Sequence, residues 1–203
     1  LCPAVREAYL KLIRFYRDQF GRYDTFKGIL FFLGSSNFTF KNEKTGYGDF
    51  TIALFEKETG TKIPVANKSM VRFEKRYKYL KSNKKLWNKW IDWRCAKVKE
   101  FLLALTTELN AGEKKDLKII LPLKIHISRT AFFISDKLRN YPEKIDINAG
   151  FREMGIDIAS LSSEPSLIIE PVSAPNFGLL YNKGEKRNID ALWYSNNFAQ
   201  YLR

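Results

Sequence analysis

The chain has 203 residues, of which 45% are hydrophobic and 15% aromatic, enough to bury one substantial core and too apolar for a disordered composition. No run approaches the roughly 20 apolar residues of a membrane span, and Cys2 and Cys95, far apart and without a histidine cluster, support neither a disulfide framework nor a zinc site. The net charge of +13 is compatible with nucleic acid, anionic polysaccharide or an acidic membrane surface and selects none of them.

The first element is an amphipathic helix. In "CPAVREAYLKLIRFYRDQF", Pro3 stands at the start and Val5, Ala8, Tyr9, Leu12, Ile13, Tyr16 and Phe20 recur at helical spacing. The apolar run "FKGILFFLGSSNF" then reads as a buried strand around Gly28 to Leu33, opening into a polar loop at Gly34, Ser35, Ser36 and Asn37. Within the following loop, "TGYGDFTIALFEKETGTKIP" predicts a short helix over 49–59. Asp49 is the expected N-cap, and Gly60 the left-handed stop.

"RFEKRYKYL" predicts another short helix. "NKKLWNKWIDWRCAKVKEFLLALTTELNA" predicts a long one from about Asn83 to Ala111, with Gly112 as its stop. About 28 residues at ~1.5 Å each give ~42 Å, more than a barrel helix needs. Most of the excess positive charge falls between Lys68 and Lys99, with aromatics interspersed. This stretch reads as a helix pair with a solvated basic face, and a nucleic-acid site is the alternative.

"DLKIILPLKIHIS" is a second strand, in which Pro122 removes a ladder donor and predicts a bulge or an early end. A short helix broken at Gly155 occupies 147–161, "PSLIIEPV" is a third strand, and "NIDALWYSNNF" a fourth candidate. Helices and strands alternate with connections too long for hairpins, so the expected class is α/β with parallel strands joined by crossovers. The units are too few to close an eight-stranded barrel, which takes about 250 residues. An open sheet or part of a barrel is therefore expected, as one domain over 1–203 with a helical insertion at about 45–82.

The segments "PAVREAYLKLIRFYRDQFGRYDTFKGILFFL", "TGYGDFTIALFEKETGTKIP", "WNKWIDWRCAKVKEFLLAL" and "MGIDIASLSSEPSLIIEPV" resemble, in order and over most of the chain, the glycosyl-hydrolase-like proteins related to family 10, (β/α)8 barrels found largely in bacteria. The resemblance implies a partial TIM barrel whose 45–64 helix is inserted in a βα loop at the C-terminal face, where barrel active sites lie. It also implies a carbohydrate ligand and glycoside hydrolysis, with a non-catalytic glycan-binding protein on the same scaffold as the alternative. Location is left open, with a secreted or periplasmic protein following if an upstream signal has been removed.

Glycoside hydrolysis takes two carboxylates flanking the scissile bond. Glu170 in "LIIEPV" is the acid at a predicted strand end and the expected nucleophile or stabiliser, with Asp49 from the inserted loop as proton donor. "ILFFLGSSN" ends instead in serines and Asn37 and "ILPLKIHIS" in His126 and Ser128, and the bare ends at Ser35 and Ile125 favour the binding alternative. His126, the one histidine, reads as a core or surface residue.

Substrate contacts are assigned to Asn37, Tyr47, Trp87, Trp90 and Arg94. The indoles offer flat apolar faces to sugar rings, and Arg94 a donor to carboxylate or hydroxyl. Trp87, Trp90 and Trp93 step round the helix, so one is expected in the core and at least one at the mouth. Asp92 and Arg94 otherwise read as a surface or interhelical pair. "GYGD" and "NAG" lack the lysine and glycine spacing of a nucleotide loop, and no metal or cofactor is expected.

Overall fold

The computed structural model describes residues 2–31, 39–40, 43–124, 147–172, 180–182 and 185–187. Helix α1 (Pro3–Phe20) leads to strand β1 (Gly28–Leu30), followed by α2 (Asp49–Thr59), α3 (Arg72–Lys81) and the long α4 (Lys84–Leu109). Strand β2 (Lys118–Lys124), α5 (Ile147–Glu153), α6 (Ile158–Ser162) and β3 (Leu167–Val172) come next, then the short strands β4 (Leu180–Asn182) and β5 (Glu185–Arg187).

The three main strands form a parallel sheet in the order β1-β2-β3, with Ile29 opposite Ile119, Ile120 opposite Ile168 and Pro122 opposite Glu170. Gly28 is required where β1 meets β2, since a Cβ there would lie 2.0 Å from the carbonyl oxygen of Lys118. Successive side chains on a strand point to opposite faces. Ile29, Ile119, Leu121, Leu167 and Ile169 accordingly share one core with Ile13 of α1, Phe101, Leu102, Leu105 and Leu109 of α4, Phe151 of α5, and Ile158 and Leu161 of α6. The other face carries Leu30 and Ile168, which are 48% and 45% exposed, and the exposed Glu170. The helices of this core therefore all pack on one side of the sheet.

Pro122 produces no bulge, and pairing of β2 with β3 continues to Lys124 opposite Val172. The reason lies in the direction of its missing donor. Lys118 N–H donates to Lys27 and Ile120 accepts from Phe31 N–H, whereas Ile119 N–H donates to Ser166, so even-numbered residues of β2 turn towards β1. Pro122 stands two residues past the last β1 pair, Leu30 with Ile120, so its missing donor falls on the β1 side, where that pairing ends, and leaves the ladder with β3 intact. Strands β4 and β5 are antiparallel, separated by two residues, and depart from the expectation of parallel strands throughout.

Helices α1 and α4 run parallel at a fixed offset of 94 residues, which Arg6–Glu100 (3.5 Å) and Arg14–Glu108 (3.1 Å) both keep. Arg17 adds bonds to the Glu108 carboxylate and carbonyl. The start of α4 projects past α1 by about 13 residues, or ~20 Å. Asn83 caps it, accepting from Lys85 and Leu86 N–H at 2.9 and 3.1 Å. Its stop is Asn110, not Gly112. The Asn110 amide donates to the Thr106 and Leu117 carbonyls and accepts from Leu117 N–H, tying the end of α4 to the start of β2.

The projecting half of α4 needs its own partner, and the insertion supplies one. Tyr47, Ile52, Phe55, Ile63 and Leu80 close a second core around Trp90, Ile91, Trp93 and Cys95. Phe55 meets Trp90 edge-on at 4.9 Å, and Trp90 stacks on Trp93 at 5.3 Å. Gly48, not Asp49, is the N-cap of α2, and no side chain caps that end. Gly60 ends the helix in the left-handed conformation with φ 67°.

Candidate functional site

The end of α4 is bonded to the start of β2, so its projecting start lies towards the C-terminal ends of the parallel strands. There α4 and α5 enclose a cleft of about 310 Å³ lined by Trp87, Asn88, Ile91 and Asp92 on one side and Ala149, Arg152 and Glu153 on the other. The four α4 residues fall at i, i+1, i+4 and i+5, a single helical face. Helix α5, whose Phe151 shares the main core with α4, is tied to it by polar contacts as well. The Cys95 thiol donates to the Arg152 carbonyl at 3.6 Å, and the Arg152 guanidinium pairs with Asp92. Arg152 also pairs with Asp157, whose other oxygen caps α6 by accepting from Ser160 N–H at 3.1 Å. One arginine thus fixes the floor of the cleft to both neighbouring helices.

Trp87 is half-buried. Its ring meets Tyr77 edge-on at 6.0 Å and the Lys81 ammonium at 5.3 Å, and it contributes to the cleft wall. Asn88 is exposed beside it with an amide that both donates and accepts, and Asp92 is 63% exposed at its side chain. An apolar ring flanked by an amide, carboxylates and a guanidinium is suited to a neutral ligand rich in hydroxyls, which presents CH faces and O–H groups in alternation.

The remaining assigned residues fall elsewhere. Tyr47 is 3% exposed, stacks on Trp90 at 5.5 Å and donates its hydroxyl to the Glu43 carbonyl; burial pushes its pKa up. Trp90 is fully buried. Arg94 is also fully buried, with its guanidinium 3.8 Å from the Phe40 ring, and burial lowers its pKa to about 10, still charged at neutral pH. These three are buried in the second core and at its junction with the main core, away from the cleft lining. Trp93 is buried too, its indole N–H donating to Glu58 at 2.7 Å, so of these three tryptophans Trp87 is the one that lines the cleft.

Asp49 is exposed and accepts from Arg72 at 3.0 and 3.2 Å and from Arg76 at 2.7 Å. Hydrogen bonds from Arg72 and then Arg76 hold its carboxyl below the usual carboxylate range, the reverse of what a proton donor needs. Glu170 is exposed, fourth of the six residues of β3, on the face of the sheet opposite the helices of the main core. Asn37, Ser35, Ile125 and His126 lie outside the described residues. Among the described residues no group of three or more His, Cys, Asp or Glu side chains gathers as a metal site.

Asn88, Arg152 and Glu153 escaped sequence reasoning. Asn88 and Asp92 were readable as the helical face that also carries Trp87. Arg152 and Glu153 carried no comparable signal, because α5 has only seven residues.

The buried thiol that ties α4 to α5 has a measurable signature. Burial raises the Cys95 pKa to about 11, whereas Cys2 is exposed, so a thiol reagent at neutral pH is expected to label Cys2 in the native protein and both cysteines only after unfolding. Rapid native labelling of Cys95 by mass spectrometry would show that the contact between α4 and α5 opens readily.

Comparison of the chain with family models, curated proteins and solved structures returns no match in any of the three.

Proposed function

We propose that the protein binds a saccharide in the cleft between α4 and α5, on a scaffold that is an arc of a (β/α) barrel. The observation that carries the binding reading is the lining of that cleft, with Trp87 beside Asn88, Asp92, Arg152 and Glu153 near the C-terminal ends of parallel strands. The barrel reading is supported by sequential strand order combined with the packing of the described core helices on one side of the sheet, since an open doubly wound sheet is covered on both. On that reading Leu30, Ile120 and Ile168 belong to the barrel interior, and the 45–82 insertion with the start of α4 overhangs its mouth.

Hydrolysis is the second reading, favoured by Glu170, which on a barrel would point inward near the catalytic end of β3. Its pairing with Asp49 as acid is not carried forward, because two arginines keep Asp49 ionised. Binding without hydrolysis is therefore the preferred function.

The test is a titration of the full chain with a panel of neutral oligosaccharides, followed by fluorescence and by product analysis. Trp87→Ala is expected to weaken binding about tenfold, the loss of one stacking face, and Glu170→Gln to leave it unchanged. Absence of binding across the panel would remove the saccharide reading. Turnover that disappears in Glu170→Gln while binding persists would favour hydrolysis instead.

A further inference from the structure

The insertion also displays a surface with no part in the cleft. The N-terminal ends of α2 and α3 are clamped together by the two-bonded pair of Arg72 with Asp49. Around that clamp stand Phe50, Met70, Val71 and Phe73, which are 53%, 92%, 51% and 47% exposed. Four large apolar side chains at the joint of two helices are unusual on a surface that also carries exposed Lys68, Lys75 and Lys78. From Lys68 to Lys89 the chain has nine lysines and arginines against a single acid, Glu74, which pairs with Lys78 at 2.6 Å.

We propose that this joint docks the protein on an anionic lipid bilayer, with Met70, Val71, Phe50 and Phe73 entering the interface and Lys68, Lys75 and Lys78 contacting acidic headgroups. Charge complementarity selects the partner. An apolar protrusion alone would suit many surfaces, but apolar tips flanked by lysines match the boundary between acyl chains and negative headgroups. Among the described residues no helix is long and apolar enough to cross a membrane, so the association is peripheral.

Single-stranded nucleic acid fits less well. Stacking needs exposed aromatic faces, and around this joint the basic stretch offers few: Trp90 and Trp93 are buried, Tyr77 packs between Tyr47 and Trp87, and the half-buried Trp87 lines the cleft instead. Phe73 already has the Arg72 guanidinium over its ring at 4.4 Å. The most exposed side chain of the joint, Met70, offers no stacking platform.

The test is co-sedimentation of the full chain with phosphatidylcholine vesicles made with and without phosphatidylserine, alongside retention of single-stranded DNA. Binding is expected only with phosphatidylserine. It should fall about fivefold for each of Lys75→Glu and Lys78→Glu, and at least about tenfold for the double substitution Met70→Asp and Val71→Asp. These positions are exposed, and an unchanged circular dichroism melt verifies that the fold is kept. Equal binding to both vesicle types, or binding indifferent to the Met70 and Val71 changes, would overturn the proposal. So would DNA retention with a steep salt dependence and no vesicle binding.

Discussion

Replacing Arg76 by alanine is expected to destabilise the protein by about 3 kcal/mol, near the lower end for breaking a buried charged contact. The Arg76 side chain is only 1% exposed and serves three acceptors: the Tyr47 carbonyl at 2.8 Å, Asp49 Oδ1 at 2.7 Å and the Asn67 side chain. Its loss would strand the Tyr47 carbonyl next to Trp90, while Asp49, 46% exposed, stays hydrated and limits the cost. Lysine cannot reach all three acceptors with one ammonium, so Arg76→Lys should recover little. Arg72→Ala removes a partner from the exposed side of the same carboxylate and should cost no more than about 1 kcal/mol.

Urea denaturation followed by tryptophan fluorescence compares the three variants, and equal losses for Arg72→Ala and Arg76→Ala would contradict this ranking. The same cluster sets a pH dependence. Because the folded Asp49 pKa is depressed, its share of stability is present above the ordinary carboxylate range and fades as pH falls through that range towards the lowered folded value. Arg76→Ala should therefore also flatten the acid limb of the stability curve.

Trp90→Ala is expected to be the most damaging substitution in the second core, at about 3–5 kcal/mol. Trp90 is fully buried and holds Tyr47 in a stack, Phe55 edge-on and Trp93 in a second stack. Its removal leaves a cavity bounded by α2 and α4, and the rigid helices can collapse into it only partly. Leu102→Ala in the main core would cost a comparable amount by the same mechanism. The two differ in what else they change: only Trp90→Ala should loosen the wall that carries Trp87, so saccharide affinity would fall with Trp90→Ala and persist in Leu102→Ala at temperatures where both are folded. Calorimetric melts paired with titrations separate these effects, and equal affinity in both variants would detach the cleft from the second core.

The tryptophans show what the sequence could reveal and what it could not. A step of three residues turns a helix by about 300°, so Trp90 and Trp93 lie only about 60° apart and fit one core, and Trp87 falls a further 60° round, at its edge. The drift of the series was legible, but which member met solvent depended on where α2 and α3 would pack, and that is decided by contacts far apart in the chain. Tyr47 and Arg94 went the same way. An aromatic in a loop and a cation on a helix read as ligand contacts by type, yet Tyr47 fills the second core and Arg94 is buried against Phe40.

Regular periodicity fared better. The apolar runs at β1, β2 and β3 gave the parallel sheet, and the excess length of α4 gave its overhang. The β4 and β5 hairpin was missed, although "YNKGEK" contains the asparagine and glycine that hairpin turns favour. The cap of α2 was misassigned by one position, because Asp49 stabilises that end through its charge and its two arginines and not by bonding the first-turn amides.

Saccharide binding by the Trp87 face of α4 can be read from the indole N–H spectrum of nitrogen-15-labelled protein during titration with a neutral oligosaccharide. A saturable shift of the Trp87 indole resonance, assigned through Trp87→Phe, is expected, with the buried Trp90 and Trp93 resonances nearly unmoved. A Trp87 resonance that stays fixed while the ligand binds would contradict it.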